Sequence, residues 1–216
     1  MAIIEVNFIS KCLMRVVTFN AIIPVDKFGP QAENAEQKPL KTLYLLHGIF
    51  GNYTDWVNGT RIQAWAEAND LAVIMPSGEN RFYLDDEKSG ELYGEFIGKE
   101  LVEFTRKLFP LSDKREDTFI AGLSMGGYGT LKCVLQTPER YAGAAAFSAV
   151  ADIEEFVAVQ TPAEKRELQA VFGQSLEIPA DCNLLALAEK ADAAQLPKLY
   201  MACGEQDALY AANVRL

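Results

Sequence analysis

The segment Thr118-Phe119-Ile120-Ala121-Gly122-Leu123-Ser124-Met125-Gly126-Gly127 decides how this chain folds. A short apolar run leads into a serine that has glycine two positions before it and two positions after it. In a G-x-S-x-G pattern the serine lies on a sharp turn between a strand and a helix, where Cβ atoms at the glycine positions would collide. Apolar residues at helical spacing continue to Gln136, and Thr137-Pro138 ends the pattern. The sequence therefore predicts a strand, a tight turn that presents Ser124, and a helix; a glycine-rich turn that only packs closely is the alternative.

Length and composition favour a single domain spanning residues 1–216. The chain has 216 residues, half of them hydrophobic, and no Pro-, Gly- or Ser-rich linker divides it. Its formal net charge of -10 predicts that neither nucleic acid nor an anionic membrane surface is a partner, because both would repel it.

The N-terminal region and the cysteines favour a cytoplasmic protein. Charged and polar residues interrupt the apolar residues between Met1 and Val25, which is typical of neither a signal peptide nor a membrane span. The four cysteines are widely spaced, without a C-x-x-C pair or a neighbouring histidine, which favours reduced thiols over a zinc site or disulfides. No metal site is predicted.

Alternating strand and helix patterns predict an α/β fold with a mostly parallel central sheet and helices on both faces. Two extended N-terminal segments, Glu5–Phe8 and Leu13–Pro24, are expected to pair as an antiparallel edge, and a polar loop from Asp26 to Pro39 follows them. The further predicted strands are Leu43–Leu46, Leu71–Met75, the Ser124 strand, Ala144–Phe147 and Lys198–Cys203. The predicted helices are Ile62–Glu67, Leu92–Phe109 and Met125–Gln136, and an insertion at about 149–196 separates the last two strands.

The candidate functional residues follow the carboxyl ends of strands, where binding sites form in such sheets. His47, Ser124 and Asp207 each come directly after or shortly after a predicted strand. A serine hydroxyl needs a base to remove its proton, and the base needs a carboxylate to orient it. Asp207 fits the carboxylate role, and a solvated turn residue is the alternative at that position.

The chain resembles the esterase D-like branch of the α/β-hydrolase superfamily, and within it the bacterial tributyrin-type esterases. The resemblance covers nearly the whole chain and depends on four blocks, which are Leu45–Asn52 with Asp55-Trp56, Phe82–Asp85, Gly122–Gly129 and Cys203–Tyr210. Relatives of that group include S-formylglutathione hydrolases, feruloyl and acetyl-xylan esterases, and mycolyltransferases. The resemblance implies the α/β-hydrolase fold and cleavage of small acyl esters through an acyl-enzyme, without a cofactor or metal.

The resemblance also implies a role for each matching residue. Ser124 is the expected nucleophile and Asp207 the expected acid of the triad, while the backbone N–H groups of Ile49 and Met125 are expected to form the oxyanion hole. Apart from the resemblance, aromatic residues in the loops near the oxyanion hole are candidates to line the substrate pocket, with packing anchors as the alternative. With the histidine included, the candidate substrate contacts are His47, Tyr53, Trp56 and Tyr83.

The sequence departs from the family at the catalytic base. Triad members of this superfamily occur in the order serine, acid, histidine, and no histidine follows Asp207. The only histidine, His47, is expected to orient its loop, with a role as the base as the alternative. We therefore expect a C-terminally truncated chain that lacks its last strand and helix and is close to inactive.

Three other functions remain open at this point. A non-catalytic binding protein on the same fold would explain the missing base, whereas an acyltransferase or an S-formylglutathione-type thioesterase would share the nucleophile and the oxyanion hole. A small-molecule ester is the expected partner in the main interpretation. Loss of a terminal strand and helix would also leave an unpaired sheet edge and a bare apolar face, so we expect either a homo-oligomer or marginal stability.

Overall fold

The computed structural model describes residues 1–26 and 38–216. Most of the predicted loop from Asp26 to Pro39 lies outside these residues. One seven-stranded sheet has the spatial order β1-β2-β4-β3-β7-β8-β9, and β5 and β6 form a separate two-stranded ribbon. The strands are β1 (Ala2–Ser10), β2 (Arg15–Ile23), β3 (Lys41–Leu46), β4 (Leu71–Pro76), β5 (Asp85–Asp86), β6 (Glu91–Leu92), β7 (Thr118–Leu123), β8 (Gly143–Phe147) and β9 (Lys198–Ala202).

Helices connect the strands and cover both faces of the sheet. The α-helices are α1 (Asp55–Gly59), α2 (Ile62–Ala68), α3 (Tyr93–Glu95), α4 (Leu101–Leu108), α5 (Met125–Gln136), α6 (Ile153–Val159), α7 (Pro162–Phe172), α8 (Leu184–Lys190) and α9 (Tyr210–Arg215). A π-helical segment (Phe96–Glu100) joins α3 to α4, and short 3₁₀ turns occupy Arg115–Asp117, Pro138–Arg140 and Ala180–Cys182.

The sheet confirms the predicted mixture of antiparallel and parallel strands. β1 pairs antiparallel with β2, and β2 pairs antiparallel with β4. The remaining neighbours, from β4 through β3, β7 and β8 to β9, are all parallel. The α/β fold with a mostly parallel central sheet, predicted from alternating strand and helix patterns, is therefore confirmed.

The long helix predicted at Leu92–Phe109 contains a π-helical segment that the sequence pattern did not predict. This segment ends at Glu100, whose carboxylate accepts hydrogen bonds from the hydroxyl of Ser10 and from the backbone N–H groups of Lys11 and Cys12. These groups form the turn between β1 and β2. The π-helical segment therefore ends at the residue whose carboxylate binds the turn of the N-terminal hairpin.

The last strands leave one face of the sheet poorly covered. The well-covered face of the sheet carries a large apolar cluster. The opposite face carries a smaller cluster, which lies beneath α1 and α2 against β4, β3 and β7. On this second face Leu123 is 43% exposed and Tyr200 is 61% exposed, and the Tyr200 ring lies 6.2 Å from that of Phe147. Within the described residues, β9 is an edge strand of the sheet.

The predicted insertion at about 149–196 contains α6, α7 and α8. α7 begins with a capping box in which Thr161 and Glu164 satisfy each other's backbone N–H groups. The ring of Phe82, from the loop after β4, lies 5.8 Å from those of Phe156 on α6 and Phe172 on α7. The helices of the insertion therefore pack against the loop that follows β4.

Candidate active site

Ser124 occupies a strained turn between β7 and α5. Its backbone has φ 57° and ψ -113°, a region that residues with a side chain rarely adopt, and α5 begins at the next residue. The residue is half-buried. This geometry is that of a nucleophile elbow, in which the turn directs the serine side chain away from the helix and the strand.

The two glycines of the motif permit a very close approach of backbone segments. A Cβ on Gly122 would lie 2.3 Å from the carbonyl group of Gly126, and a Cβ on Gly126 would lie 2.4 Å from the carbonyl oxygen of Leu46. Both distances are far inside van der Waals contact, and backbone atoms cannot move aside as a side-chain tip can. Glycine at these two positions therefore allows α5 to start directly beside the end of β3.

The loop after β3 lies beside the serine. A Cβ on Gly48 would be 3.6 Å from Cβ of Ser124, so the backbone at Gly48-Ile49 runs past the nucleophile. Across residues 1–26 and 38–216, the backbone N–H groups of Ile49 and Met125 have no hydrogen-bond acceptor in the protein. Two unpaired amides near one serine, contributed by neighbouring parallel strands, match the arrangement that stabilises an oxyanion.

His47 is buried, and both nitrogens of its ring are engaged. Only 1% of the residue is exposed. Nδ1 lies 2.6 Å from the carbonyl oxygen of Gly48, and Nε2 accepts a hydrogen bond of 2.8 Å from the backbone N–H of Gly78. Burial lowers the pKa of His47, so the ring is neutral with its proton on Nδ1. These contacts favour the loop-orienting role over the alternative in which His47 is the base for Ser124.

Asp207 lies in a turn after β9 that faces the end of β8. One carboxylate oxygen accepts a 2.9 Å hydrogen bond from the backbone N–H of Leu209. That bond, together with a hydrogen bond from Ser148, lowers the pKa of Asp207, so the carboxylate is ionised at neutral pH. Ser148 was not predicted as a site residue. Its only sequence signal is that a polar residue directly follows the apolar strand β8.

Of the aromatic residues predicted to contact substrate, one lines a cleft and two do not. Trp56 lines a cleft beside Gly48 and donates its indole N–H to the carbonyl oxygen of Leu46. Tyr83 is 1% exposed and donates its hydroxyl to the carbonyl oxygen of His47, beneath the loop. The Tyr53 hydroxyl contacts Glu5 on β1, so this ring points toward the N-terminal hairpin. Of the three aromatic residues, only Trp56 lines either cleft.

Two clefts border the loop that contains Gly48 and Ile49. One, of about 440 Å³, has mostly apolar walls from the loop and from α6 and α7 and is lined by Ile49, Phe50, Asn80, Arg81, Phe156, Gln160, Glu164, Glu167, Leu168, Ala170 and Val171. The other, of about 490 Å³, is more polar and is lined by His47, Gly48, Thr54, Asp55, Trp56, Asn58, Gly59, Thr60 and Leu123. The residues of α6 and α7 that line the first cleft were not predicted, because nothing in their sequence pattern separates a cleft wall from ordinary helix packing.

The described part of the chain contains neither a cluster of potential metal ligands nor a helix that could span a membrane. Within residues 1–26 and 38–216 there is no group of three or more His, Cys, Asp or Glu side chains that could hold a metal ion. In the same residues no helix combines the length and the apolar character that crossing a bilayer requires.

The fold and the strained serine define a serine hydrolase of the α/β-hydrolase type. A match to the family described as "Putative esterase" covers residues 18–213, and the chain belongs to this family. It is 43% identical over 224 residues to an acetyl esterase of Caldicellulosiruptor saccharolyticus, which covers 99% of this chain and 84% of the relative.

Two solved structures from Staphylococcus aureus are similar throughout the chain. Fluorophosphonate-binding serine hydrolase F gives a TM-score of 0.86 at 33% identity, covering 99% of this chain and 83% of that one. An S-formylglutathione hydrolase gives a TM-score of 0.83 at 34% identity, covering 99% of this chain and 84% of that one. These similarities confirm the family resemblance and identify the chain as a carboxylic ester hydrolase by family.

Proposed function

We propose that this protein is a serine carboxylesterase in which Ser124 attacks the ester carbonyl and forms an acyl-enzyme. The observation that carries the proposal is the strained Ser124 turn with the free amides of Ile49 and Met125 beside it. In acylation the serine oxygen bonds to the carbonyl carbon, the amides stabilise the oxyanion, and the alcohol leaves with a proton. Water then attacks the acyl-enzyme and releases the acid and the free serine. Each oxyanion donor is worth about 3 kcal/mol of transition-state stabilisation.

Both steps require a base, and this sequence offers no second histidine. His47 is already bonded through both nitrogens, and Asp207 is a carboxylate suited to orienting an imidazole. Loss of the base from such a triad lowers turnover by about 10⁶ in a well-studied protease. We infer that the 216-residue chain, by itself, hydrolyses esters slowly through Ser124.

A small neutral acyl ester is the substrate class that the cleft beside Ile49 favours. Two carboxylates, Glu164 and Glu167, lie on its lining, and the charge of Arg81 is compensated by its ion pair with Glu91 at 2.6 Å. The remaining negative charge disfavours an acidic thioester such as S-formylglutathione. The 43% identity to an acetyl esterase favours acetyl esters in particular.

Hydrolysis of p-nitrophenyl acetate by the purified protein and by its Ser124→Ala variant tests the proposal. Free imidazole is added over a concentration series, because it can replace the missing base, and the Ser124→Ala rate is subtracted to remove the reaction of imidazole with the ester. We expect a weak Ser124-dependent rate that rises with imidazole.

The possible outcomes separate the two parts of the proposal. Absence of any Ser124-dependent cleavage, with or without imidazole, would contradict the esterase function and favour a non-catalytic binding protein. Fast cleavage without imidazole that Ser124→Ala abolishes would instead contradict the inference about the base. Product analysis with added alcohols distinguishes hydrolysis from acyl transfer.

The cellular location is also a proposal. All four cysteines are free thiols, and burial raises the pKa of Cys133 to about 11 and that of Cys182 to about 11. Unpaired thiols fit a reducing compartment, so we propose that the protein is cytoplasmic. Acid quenching of intact cells followed by alkylation of the unfolded protein tests this, because all four cysteines then react if they were reduced in the cell, whereas disulfide-bonded cysteines would escape the reagent.

A further inference from the structure

The loop that carries Ile49 turns sharply at a residue that is not suited to the turn. The backbone N–H of Gly51 donates to the carbonyl oxygen of Gly48 at 3.1 Å, which closes a four-residue turn with Ile49 and Phe50 at its centre. Phe50 has φ 67°, a conformation that such turns usually assign to glycine. Its side chain is 81% exposed, so packing of the ring does not impose this conformation.

A side chain from another loop holds this turn. Oδ1 of Asn80 accepts a hydrogen bond of 2.8 Å from the backbone N–H of Phe50. In the described part of the chain, this is the one side-chain hydrogen bond to the two central residues of the turn. A φ near +60° in a residue with a side chain is unfavourable and persists only where its surroundings fix it. The Asn80 contact supplies that restraint.

The loop that contains Asn80 is itself firmly fixed. It runs from Ser77 to Tyr83, and Glu79, Phe82 and Tyr83 all have φ near +50°. The N–H of Gly78 donates to Nε2 of His47, and the Tyr83 hydroxyl donates to the carbonyl oxygen of His47. Asn80 is thus presented by a loop that is bonded on both sides to the residue preceding Gly48. A rigid presentation of this kind is what a positioning side chain requires.

We propose that Asn80 is a positioning residue for the oxyanion hole, an inference that rests on the proposed esterase function. Its carbonyl oxygen holds the Ile49–Phe50 peptide in the strained orientation and so keeps the Ile49 N–H at its place beside Ser124. Without this acceptor the peptide is free to turn over to a conformation in which Phe50 has negative φ. The Ile49 N–H belongs to the preceding Gly48–Ile49 peptide, which forms part of the same turn, so once the turn loses its fixed geometry this N–H is no longer held at the carbonyl oxygen that it must stabilise.

The test compares Asn80→Leu, which has a similar shape but no acceptor, with Asn80→Asp, which keeps an oxygen at the same place. Asn52→Leu is the matched control, because the Asn52 side chain is likewise exposed and accepts a backbone hydrogen bond, from Thr54 at 2.7 Å, outside the turn. Two kinds of measurement are made for each protein. They are the kcat and KM of imidazole-assisted, Ser124-dependent p-nitrophenyl acetate cleavage, and the hydrogen exchange rate of the Phe50 amide by NMR.

For Asn80→Leu we expect kcat to fall about 10- to 100-fold with KM changed by less than about threefold, because a displaced donor acts on the transition state. The Phe50 amide should exchange at least about fivefold faster in Asn80→Leu, and Asn80→Asp should restore the wild-type exchange rate. Asn52→Leu should change neither the kinetic constants nor the exchange rate of the Phe50 amide.

An unchanged kcat in Asn80→Leu, or an unchanged Phe50 exchange rate, would overturn the proposal. If the wild-type protein shows no Ser124-dependent cleavage, the esterase function fails. In that case the exchange rate of the Phe50 amide alone decides whether Asn80 holds the turn.

Discussion

Replacing Ser124 with glycine should make the protein more stable than replacing it with alanine, although both changes remove the nucleophile. The backbone at this position has φ 57° and ψ -113°. A residue with a Cβ in such a region costs of order 1–3 kcal/mol. Glycine removes that strain but gains backbone freedom in the unfolded chain, which costs about 0.4–1 kcal/mol. The net expectation is that Ser124→Gly exceeds Ser124→Ala in free energy of unfolding by about 1 kcal/mol.

Urea unfolding followed by circular dichroism measures this difference, with wild type and both variants at the same pH. For a chain of this length, 1 kcal/mol corresponds to about 2–4 °C in Tm. The comparison needs no enzymatic turnover, so it tests the strained turn independently of the proposed base. The reasoning would be refuted by a Ser124→Gly variant that unfolds at a lower urea concentration than Ser124→Ala.

Three further predictions concern stability. Gly126→Ala should destabilise the protein by about 1–3 kcal/mol in urea unfolding, since its Cβ would meet the Leu46 carbonyl oxygen at 2.4 Å, whereas Gly98→Ala, with open space around it, should not destabilise it. Equal midpoints for the two variants would contradict the close approach. Burial lowers the pKa of His47, so below an unfolded pKa of about 6.5 the unfolded chain binds a proton that the folded chain does not. The free energy of unfolding should therefore fall as the pH is lowered from 7.5 to 5.5, and His47→Gln should flatten this dependence; an identical slope in both proteins would exclude His47 as its source. Thr161→Ala removes the cap of α7 and should cost about 1 kcal/mol, with faster proteolysis of the insertion as the readout; unaltered proteolysis would count against it.

The fold was predictable because its strands follow simple patterns. Buried runs such as Leu43–Leu46 and Leu71–Met75 are continuous and apolar, and their structural bounds, Lys41–Leu46 and Leu71–Pro76, differ only at the ends. The Ser124 turn was predictable for a different reason, since only glycine tolerates the contacts at positions 122 and 126. Both features were predictable because each depends on residues that are close together in the sequence.

The surroundings of the site were less predictable because they depend on contacts between distant segments. Asn80 and Phe50 are 30 residues apart, and nothing in either neighbourhood indicates their hydrogen bond. The π-helical segment that ends at Glu100 likewise depends on a turn 88 to 90 residues earlier in the chain. Tyr53 and Tyr83 were predicted to line the pocket because they lie in loops expected near the oxyanion hole, but a position in a loop gives no information about the direction of a side chain.

The two proposed oxyanion donors follow adjacent parallel strands that are paired in register, Leu46 beside Gly122. Their separation is consequently fixed by the constant spacing between strands at the centre of the sheet. The helices that form the wall of the apolar cleft belong to a separate stretch of chain between β8 and β9. Natural variation can therefore remodel that wall, and with it the preferred ester, while the catalytic frame stays unaltered, an architecture well suited to divergence among related enzymes.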